Sequence, residues 1–273
     1  MIRGENFALS NLCWPIDEDR AALRIISALG YRGLELAPFK VFGGWDGVTR
    51  AEIVSYARFA ASEGLTVVAL QGILFGANLG PIFSGPDARL ALLKHAAQVA
   101  RMAGEFGGLR CVFGAPGLRK RLGLSASEAD RIAVPLFQDL GRIFDDYGSI
   151  LVLEANPESY GCEYVTKTGE AVSLVAQVDH PGFQVHIDTG TICINEESGE
   201  ALRSYASAAA HFHVSEPDLV PLSFANARHG QFGDILRSSA YAGWISVEMK
   251  QPESDWRSCL QRSAQVIEAC YDV

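Results

Sequence analysis

Glu154, Asp188, His213 and Glu248 each stand at the end of a short apolar run, and they are spaced by 34, 25 and 35 residues. Three carboxylates and one imidazole make a mixed oxygen and nitrogen donor set. Such a set suits one divalent metal ion (Mn²⁺, Mg²⁺, Co²⁺ or Zn²⁺), and the ligand types alone do not choose among them. A single acid at a strand end caps a helix or faces water about as often as it does chemistry. Four ligand-type residues on four consecutive runs, each about one strand–helix repeat from the next, point to a common site.

Other polar residues sit at similar positions. Glu35, Gln71, Asn156 and Lys250 follow or close apolar runs and are candidates for substrate contact. His186 and His211 each precede a proposed ligand by two residues, so strand alternation turns them to the same side. A buried neutral imidazole is the expectation for His186. For His211 a supporting contact at the site and a core position both stay open, and it is counted with the substrate-contact candidates. His229 lies in a loop after the seventh run, and His95 reads as a surface residue. Trp14 and Trp45 are candidates to wall an apolar substrate face. Arg119-Lys120-Arg121 is a dense basic run, either an anion contact or a solvated helix start.

The elements needed to position these residues are legible in the same way. Eight apolar runs read as buried strands: Phe7 to Leu9, Gly33 to Leu36, Thr66 to Gln71, Arg110 to Phe113, Gly148 to Glu154, Gly182 to Asp188, Ala209 to Val214 and Gly243 to Glu248. Helical spacing falls between them, in Leu23 to Leu29, Ala133 to Tyr147 and Asp255 to Tyr271. Thr49 with Glu52, and Ser125 with Glu128, have the form of capping boxes. Strands alternating with helices demand parallel pairing with both faces covered. Eight of them in this length predict an α/β fold, a single (β/α)8 TIM barrel with its site at the C-terminal strand ends. No Gly-x-Gly-x-x-Gly follows a strand, which argues against a doubly wound nucleotide-binding sheet. No linker or charge block interrupts the chain, so one domain is expected over residues 1–273.

Composition narrows the partners. The 273 residues carry a net charge of -9, with 32 acidic against 23 basic side chains. That balance disfavours nucleic acid, which demands a surplus of Lys and Arg, and an anionic membrane surface. No apolar run is long enough to span a bilayer, and the N-terminus lacks a signal-peptide layout. Six scattered cysteines without a Cys-x-x-Cys pair read as reduced thiols. A cytoplasmic protein with a small-molecule substrate is expected; homo-oligomerisation is compatible with the sequence and not dictated by it.

The blocks Leu153-Glu154-Ala155-Asn156-Pro157, Val185-His186-Ile187-Asp188-Thr189-Gly190, His211-Phe212-His213-Val214-Ser215-Glu216 and Gly243-Trp244-Ile245-Ser246-Val247-Glu248-Met249-Lys250 resemble the xylose isomerase-like barrels. These comprise sugar isomerases, ketose 3-epimerases, hydroxypyruvate isomerase, inosose dehydratase and, more distantly, endonuclease IV repair enzymes. The resemblance implies that Glu154, Asp188, His213 and Glu248 hold one divalent metal. It implies further that Glu154 and Glu248 are catalytic, a proton-transfer pair. A sugar or hydroxy-ketone isomerase or epimerase working through an enediolate is the expected activity. A dehydratase of the inosose or dehydroshikimate kind is the alternative, and a non-catalytic small-ligand barrel ranks behind both. The chain departs from the ketose epimerases at Thr191 and Leu219, where they carry sugar-contacting His and Arg. It also has Gln71 and Cys111 where the repair enzymes need further histidines.

Overall fold

The computed structural model describes residues 1–225, 228–253 and 255–272. Its strands are β1 (Phe7–Ser10), β2 (Gly33–Leu36), β3 (Thr66–Leu70), β4 (Arg110–Phe113), β5 (Ile150–Glu154), β6 (Phe183–Asp188), β7 (Ala209–Val214) and β8 (Ile245–Val247). They hydrogen-bond in sequence order and close into a barrel, with helices between them. The expected (β/α)8 TIM barrel is therefore the fold, and each strand falls within two residues of the stretch anticipated for it.

The intervening helices are α1 (Asp19–Leu29), α2 (Pro38–Phe42), α3 (Arg50–Ser62), α4 (Pro86–Glu105), α5 (Ala126–Asp145), α6 (Thr168–Val178), α7 (Thr189–Ile194), α8 (Gly199–Tyr205), α9 (Arg228–Ser238) and α10 (Trp256–Cys270). Both capping boxes form. The Glu52 carboxylate accepts from Thr49 N at 2.8 Å, and Glu52 N donates to Thr49 Oγ1 at 3.3 Å. At α5, Ser125 N donates to Glu128 Oε2 at 2.9 Å and Glu128 N donates back to Ser125 Oγ at 3.4 Å. Each pair satisfies amide donors that the first helical turn leaves open.

The chain divides into two compact units. The first comprises Met1–Ala37, Ser55–Ala69 and Ile187–Val273. In it β1 pairs with β2 and β8, and β7 pairs with β8, all parallel. The register sets Ser10 beside Glu35 and His213 beside Ser246. Trp14, a candidate substrate wall by sequence, is instead fully buried, with Nε1 donating to Asp19 Oδ1 at 2.7 Å.

The second unit comprises Pro38–Val54 and Leu70–His186. Here β4 pairs with β5 and β5 with β6, and Glu154 lies opposite His186. Helix α5 covers these strands through Phe137, which stacks on Phe183 at 4.8 Å and meets Phe113 edge-on at 5.4 Å. Each fully buried ring of this kind contributes about 1.5–3 kcal/mol through removal from water. His95 is buried, contrary to the surface position expected. It shares the inward stripe of α4 with Leu92, Ala96 and Val99, and its Nε2 lies 2.7 Å from the Ile73 carbonyl. Among the described residues, no helix is long and apolar enough to cross a membrane. All six cysteines are free.

Candidate metal centre

In the first unit, strand alternation turns His211 and His213 of β7 to one side, and Glu35 of β2 meets both. His213 Nε2 lies 2.9 Å and 3.0 Å from the two Glu35 oxygens, and His211 Nε2 lies 3.2 Å from Oε2. The other ring nitrogen of His213, Nδ1, is 3.1 Å from Glu248 Oε2. Burial alone would raise Glu35, but His213 and His211 together hold its carboxyl well below the usual glutamate range. For His213 burial would lower the imidazole, and the Glu35 and Glu248 carboxylates overcome it and push the ring well above its ordinary value. Glu248 is raised, first by burial, with Asp188 and Glu35 adding like-charge repulsion against the pull of His213.

Asp188 ends β6 and caps α7. Its Oδ2 accepts from Thr191 N at 2.7 Å, and its Oδ1 accepts from the Ser215 hydroxyl. Ser215 is itself locked in place. Its N–H donates to Thr189 Oγ1 at 2.8 Å, Thr189 Oγ1 donates to the Ser215 carbonyl at 2.8 Å, and Gly190 N donates to Ser215 Oγ at 2.9 Å. Sequence reasoning missed Ser215, although it stands two residues after His213 on the same alternation.

In the second unit, Glu154 ends β5. Asn156 Nδ2 donates to Glu154 Oε2 at 2.9 Å, and His186 Nε2 lies 3.9 Å from Oε1, beyond hydrogen-bond reach. Asn156 is in turn contacted by Arg119. This residue is fully buried, which overturns both roles considered for the basic run at that position. Its guanidinium donates to backbone carbonyls of the Tyr164–Val165 segment, so it serves neither an anion nor bulk water.

Glu154, Asp188, His213 and Glu248 each offer one ligand atom, and these atoms all lie within 4.8 Å of one another. Three carboxylates with one imidazole are the situation a divalent cation relieves; Glu248, raised first by burial, is raised further by the neighbouring Asp188 and Glu35 carboxylates. The donor set fits the ion. Exposure divides the residues: Glu154 and Glu248 keep 13% and 12% of their side-chain surface open, whereas His213 keeps 1% and Glu35 none. The two glutamates are thus half-buried, whereas Asp188, His213 and Glu35 are buried.

The remaining sequence candidates distribute as follows. Glu35 and His211 are buried in contact with each other, and Glu35 also with His213. Gln71 is buried just beyond β3, and Asn156 is buried beside Glu154. Lys250 is exposed, with its backbone N–H donating to the Leu219 carbonyl at 2.9 Å. His229 is buried on α9, with Nε2 3.1 Å from Glu216 Oε1 and Nδ1 2.9 Å from Tyr271 Oη. Trp45 is largely buried and donates Nε1 to the Phe75 carbonyl at 2.7 Å.

No curated protein matches the sequence. Among solved structures, the chain is similar to 3-keto-D-glucoside 4-epimerase from E. coli in its apo form, with 16% identity, a TM-score of 0.78, and coverage of 98% of this chain and 100% of that one. It is similar to D-psicose 3-epimerase with D-tagatose from Clostridium cellulolyticum H10, with 16% identity, a TM-score of 0.78, and coverage of 97% and 98%. It is also similar to an AP endonuclease of family 2 from Brucella melitensis, with 18% identity, a TM-score of 0.69, and coverage of 95% and 97%. At these identities the likeness is one of fold. The family described as xylose isomerase-like TIM barrel matches residues 23–270, nearly the whole chain, and the protein belongs to that family.

Proposed function

We propose that the protein is a divalent-metal-dependent isomerase or epimerase of a small, free hydroxy-carbonyl compound, a sugar or sugar acid. The observation that carries the reading is the donor group of Glu154, Asp188, His213 and Glu248, one ligand atom from each within 4.8 Å of the others. The sugar epimerases among the similar structures support it.

Glu154, Asp188, His213 and Glu248 would hold the ion. A divalent ion there would supply Lewis-acid polarisation of a carbonyl and its neighbouring hydroxyl, which acidifies the C–H between them. The chain's own residues do the rest. Ser215 and the Thr191 amide orient the Asp188 carboxylate. Glu35 orients the His213 ring, because a carboxylate can only accept and so fixes the N–H on Nε2 of the neutral ring. That leaves Nδ1, the nitrogen on the Glu248 side, to act as the donor atom. Glu154 and Glu248, the two half-buried carboxylates, carry the proton: one removes it and the other returns it, on the opposite face of the same carbon in an epimerisation or at the former carbonyl carbon in an isomerisation.

The test is proton NMR in D₂O of a panel of free ketoses, inososes and hydroxy-keto acids, with Mn²⁺, Co²⁺, Mg²⁺ or Zn²⁺ added. Entry of one deuterium with rearranged stereochemistry or carbonyl position and no loss of water is expected. Loss of water from an inosose or a dehydroshikimate-like acid would assign a dehydratase instead. Failure of all four ions to bind would remove the proposal.

A further inference from the structure

Arg119 has the chemistry of a substrate-binding residue and the location of a structural one. It closes the short turn Pro116–Arg119 after β4 and is fully buried. A buried guanidinium must be matched by acceptors, because its charge is costly away from water. Three acceptors are present. Nη1 donates to the carbonyls of Tyr164 and Val165 at 3.3 Å and 3.1 Å, and Nη2 donates to Asn156 Oδ1. The Val165 carbonyl also takes the Asn156 backbone N–H at 3.2 Å. Val165 is β-branched yet sits at φ 61°, and Ala115, at the start of the turn, sits at φ 54°. Both conformations are unfavourable for these residue types and persist only where their surroundings impose them.

The polarity of this arrangement is forced. Arginine has only donors, so the amide oxygen of Asn156 must face it. The amide nitrogen must then face the other way, and there it donates to Glu154 Oε2 at 2.9 Å. The same carboxylate oxygen rests against Gly114, at the end of β4, where an added Cβ would collide with it and lie 3.5 Å from Asn156 Oδ1. The turn after β4 therefore touches Glu154 twice, once directly through Gly114 and once through the amide. Guanidinium and carboxylate also attract at a distance, since Glu154 is among the acids that support the charge on Arg119 against its burial.

We infer that Arg119 is a positioning residue: it fixes the amide of Asn156 in one orientation, and with Gly114 this commits Glu154 Oε2 and sets the angle at which the Glu154 carboxylate is presented. The inference rests on the proposed role of Glu154 as a metal ligand and proton carrier. It assigns a function to a buried cation that contacts neither metal nor substrate. It also makes Gly114 a required residue, because a methyl group there would occupy the space of the carboxylate oxygen.

Manganese affinity, measured by titration calorimetry on the full chain, tests it. The variants are Glu154→Gln, Asn156→Ala, Arg119→Lys, the Arg119→Lys/Asn156→Ala double and Gly114→Ala, each checked for folding by circular dichroism. Glu154→Gln is expected to weaken binding at least tenfold, and Asn156→Ala and Arg119→Lys each by roughly tenfold to a hundredfold. The double variant should bind no more weakly than Asn156→Ala alone, because Arg119 acts through that amide. Losses that multiply in the double variant would show that Arg119 acts by another route and overturn the inference. Wild-type affinity in both single variants, with Glu154→Gln weakened, would overturn it while leaving Glu154 a ligand. Wild-type affinity in Glu154→Gln would overturn the ligand role and the inference with it. Should Arg119→Lys fail to fold, Asn156→Ala and Gly114→Ala still decide the matter. Both keep the guanidinium, both should lose at least tenfold in affinity, and unchanged binding in the pair rejects the inference.

Discussion

His213 rests its Nε2 within 3.0 Å of both carboxylate oxygens of Glu35, in a contact closed to solvent on both sides. The pair holds charge in the metal-free protein. Glu35 is kept well below the ordinary carboxyl range and His213 well above the ordinary imidazole range. A metal taking Nδ1 must therefore displace a proton, so affinity should fall as pH falls. Replacing Glu35 by Gln keeps the shape and removes the charge. His213 then deprotonates at lower pH, and fewer protons should leave on metal binding at neutral pH. Calorimetry in two buffers of different ionisation enthalpy counts those protons. The same variant should bind Mn²⁺ about tenfold more weakly, because the orienting carboxylate is gone. An unchanged proton count would mean that Glu35 does not set the state of His213.

The helix caps predict a second pH effect, on stability. Glu52, Glu128 and Asp255 are all lowered by hydrogen bonds from Thr49, Ser125 and Ser258. A carboxyl lowered in the folded state adds stability above its unfolded value, about 4.3 for Glu and 3.9 for Asp, and loses it as pH falls through the folded value. The melting temperature should therefore drop as pH is lowered from about 5 to about 3, and Glu128→Gln should make that slope shallower. Thermal melts across the window measure it. A slope identical in Glu128→Gln would remove that cap from the account.

Much of the molecule was legible because the barrel writes a local signal. Each strand is a short apolar run, and Glu154, Asp188, His213 and Glu248 close or follow such runs at the spacing of one repeat. What was not legible depends on partners far along the chain. Arg119 looked like part of a solvated basic run, and the carbonyls and amide that bury it lie 37 to 46 residues away. Glu35 read as a substrate contact, and its imidazoles lie 176 and 178 residues on. His95 did carry a local signal, its helical spacing with Leu92, Ala96 and Val99, which outweighs the polarity of the ring. No local pattern relates Glu216 to His229 and Tyr271.

That last trio makes a third prediction. Glu216, His229 and Tyr271 are buried in a line, with His229 bridging at 3.1 Å and 2.9 Å. Ser223 N also donates to Glu216 Oε1 at 3.2 Å, which fastens the segment after β7. Tyr271→Phe removes one hydroxyl and leaves a buried ring nitrogen unmatched, so it should destabilise the fold by about 1–3 kcal/mol. Urea denaturation gives the number. A change below about 0.5 kcal/mol, the range of a neutral surface substitution, would mean that the hydroxyl contributes nothing.

Abasic DNA provides a fourth test, since an AP endonuclease of family 2 is among the similar folds. Gln71 is buried just beyond β3, Cys111 is fully buried near the start of β4 and not at its C-terminal end, neither is a histidine, and the net charge is -9. An abasic duplex should remain intact with the metal-loaded protein. Incision that disappears in Glu248→Gln would reverse the assignment toward nucleic acid.

The fifth prediction separates the two proton carriers. Glu154 and Glu248 stand at the ends of β5 and β8, and each keeps part of its side chain open. One carboxylate suffices to remove a proton, but inverting a carbon needs a partner on the other face. Each Glu→Gln variant also loses a ligand, so turnover must be compared with the metal site saturated. Both variants should then fall by at least a hundredfold, within the range general acid–base catalysis supplies. Hydrogen exchange with D₂O assigns the roles. The variant that still exchanges substrate hydrogen without turnover has kept the base and lost the returning acid, and the variant that does neither has lost the base. Near wild-type turnover in either metal-loaded variant would reduce the pair to one carboxylate and rule out inversion by a two-base route. Glu248 is the group raised by burial and by Asp188 and Glu35. A cation bound there offsets that repulsion, so the exchange result, and not the charge state of the metal-free protein, assigns which glutamate is the base and which the returning acid.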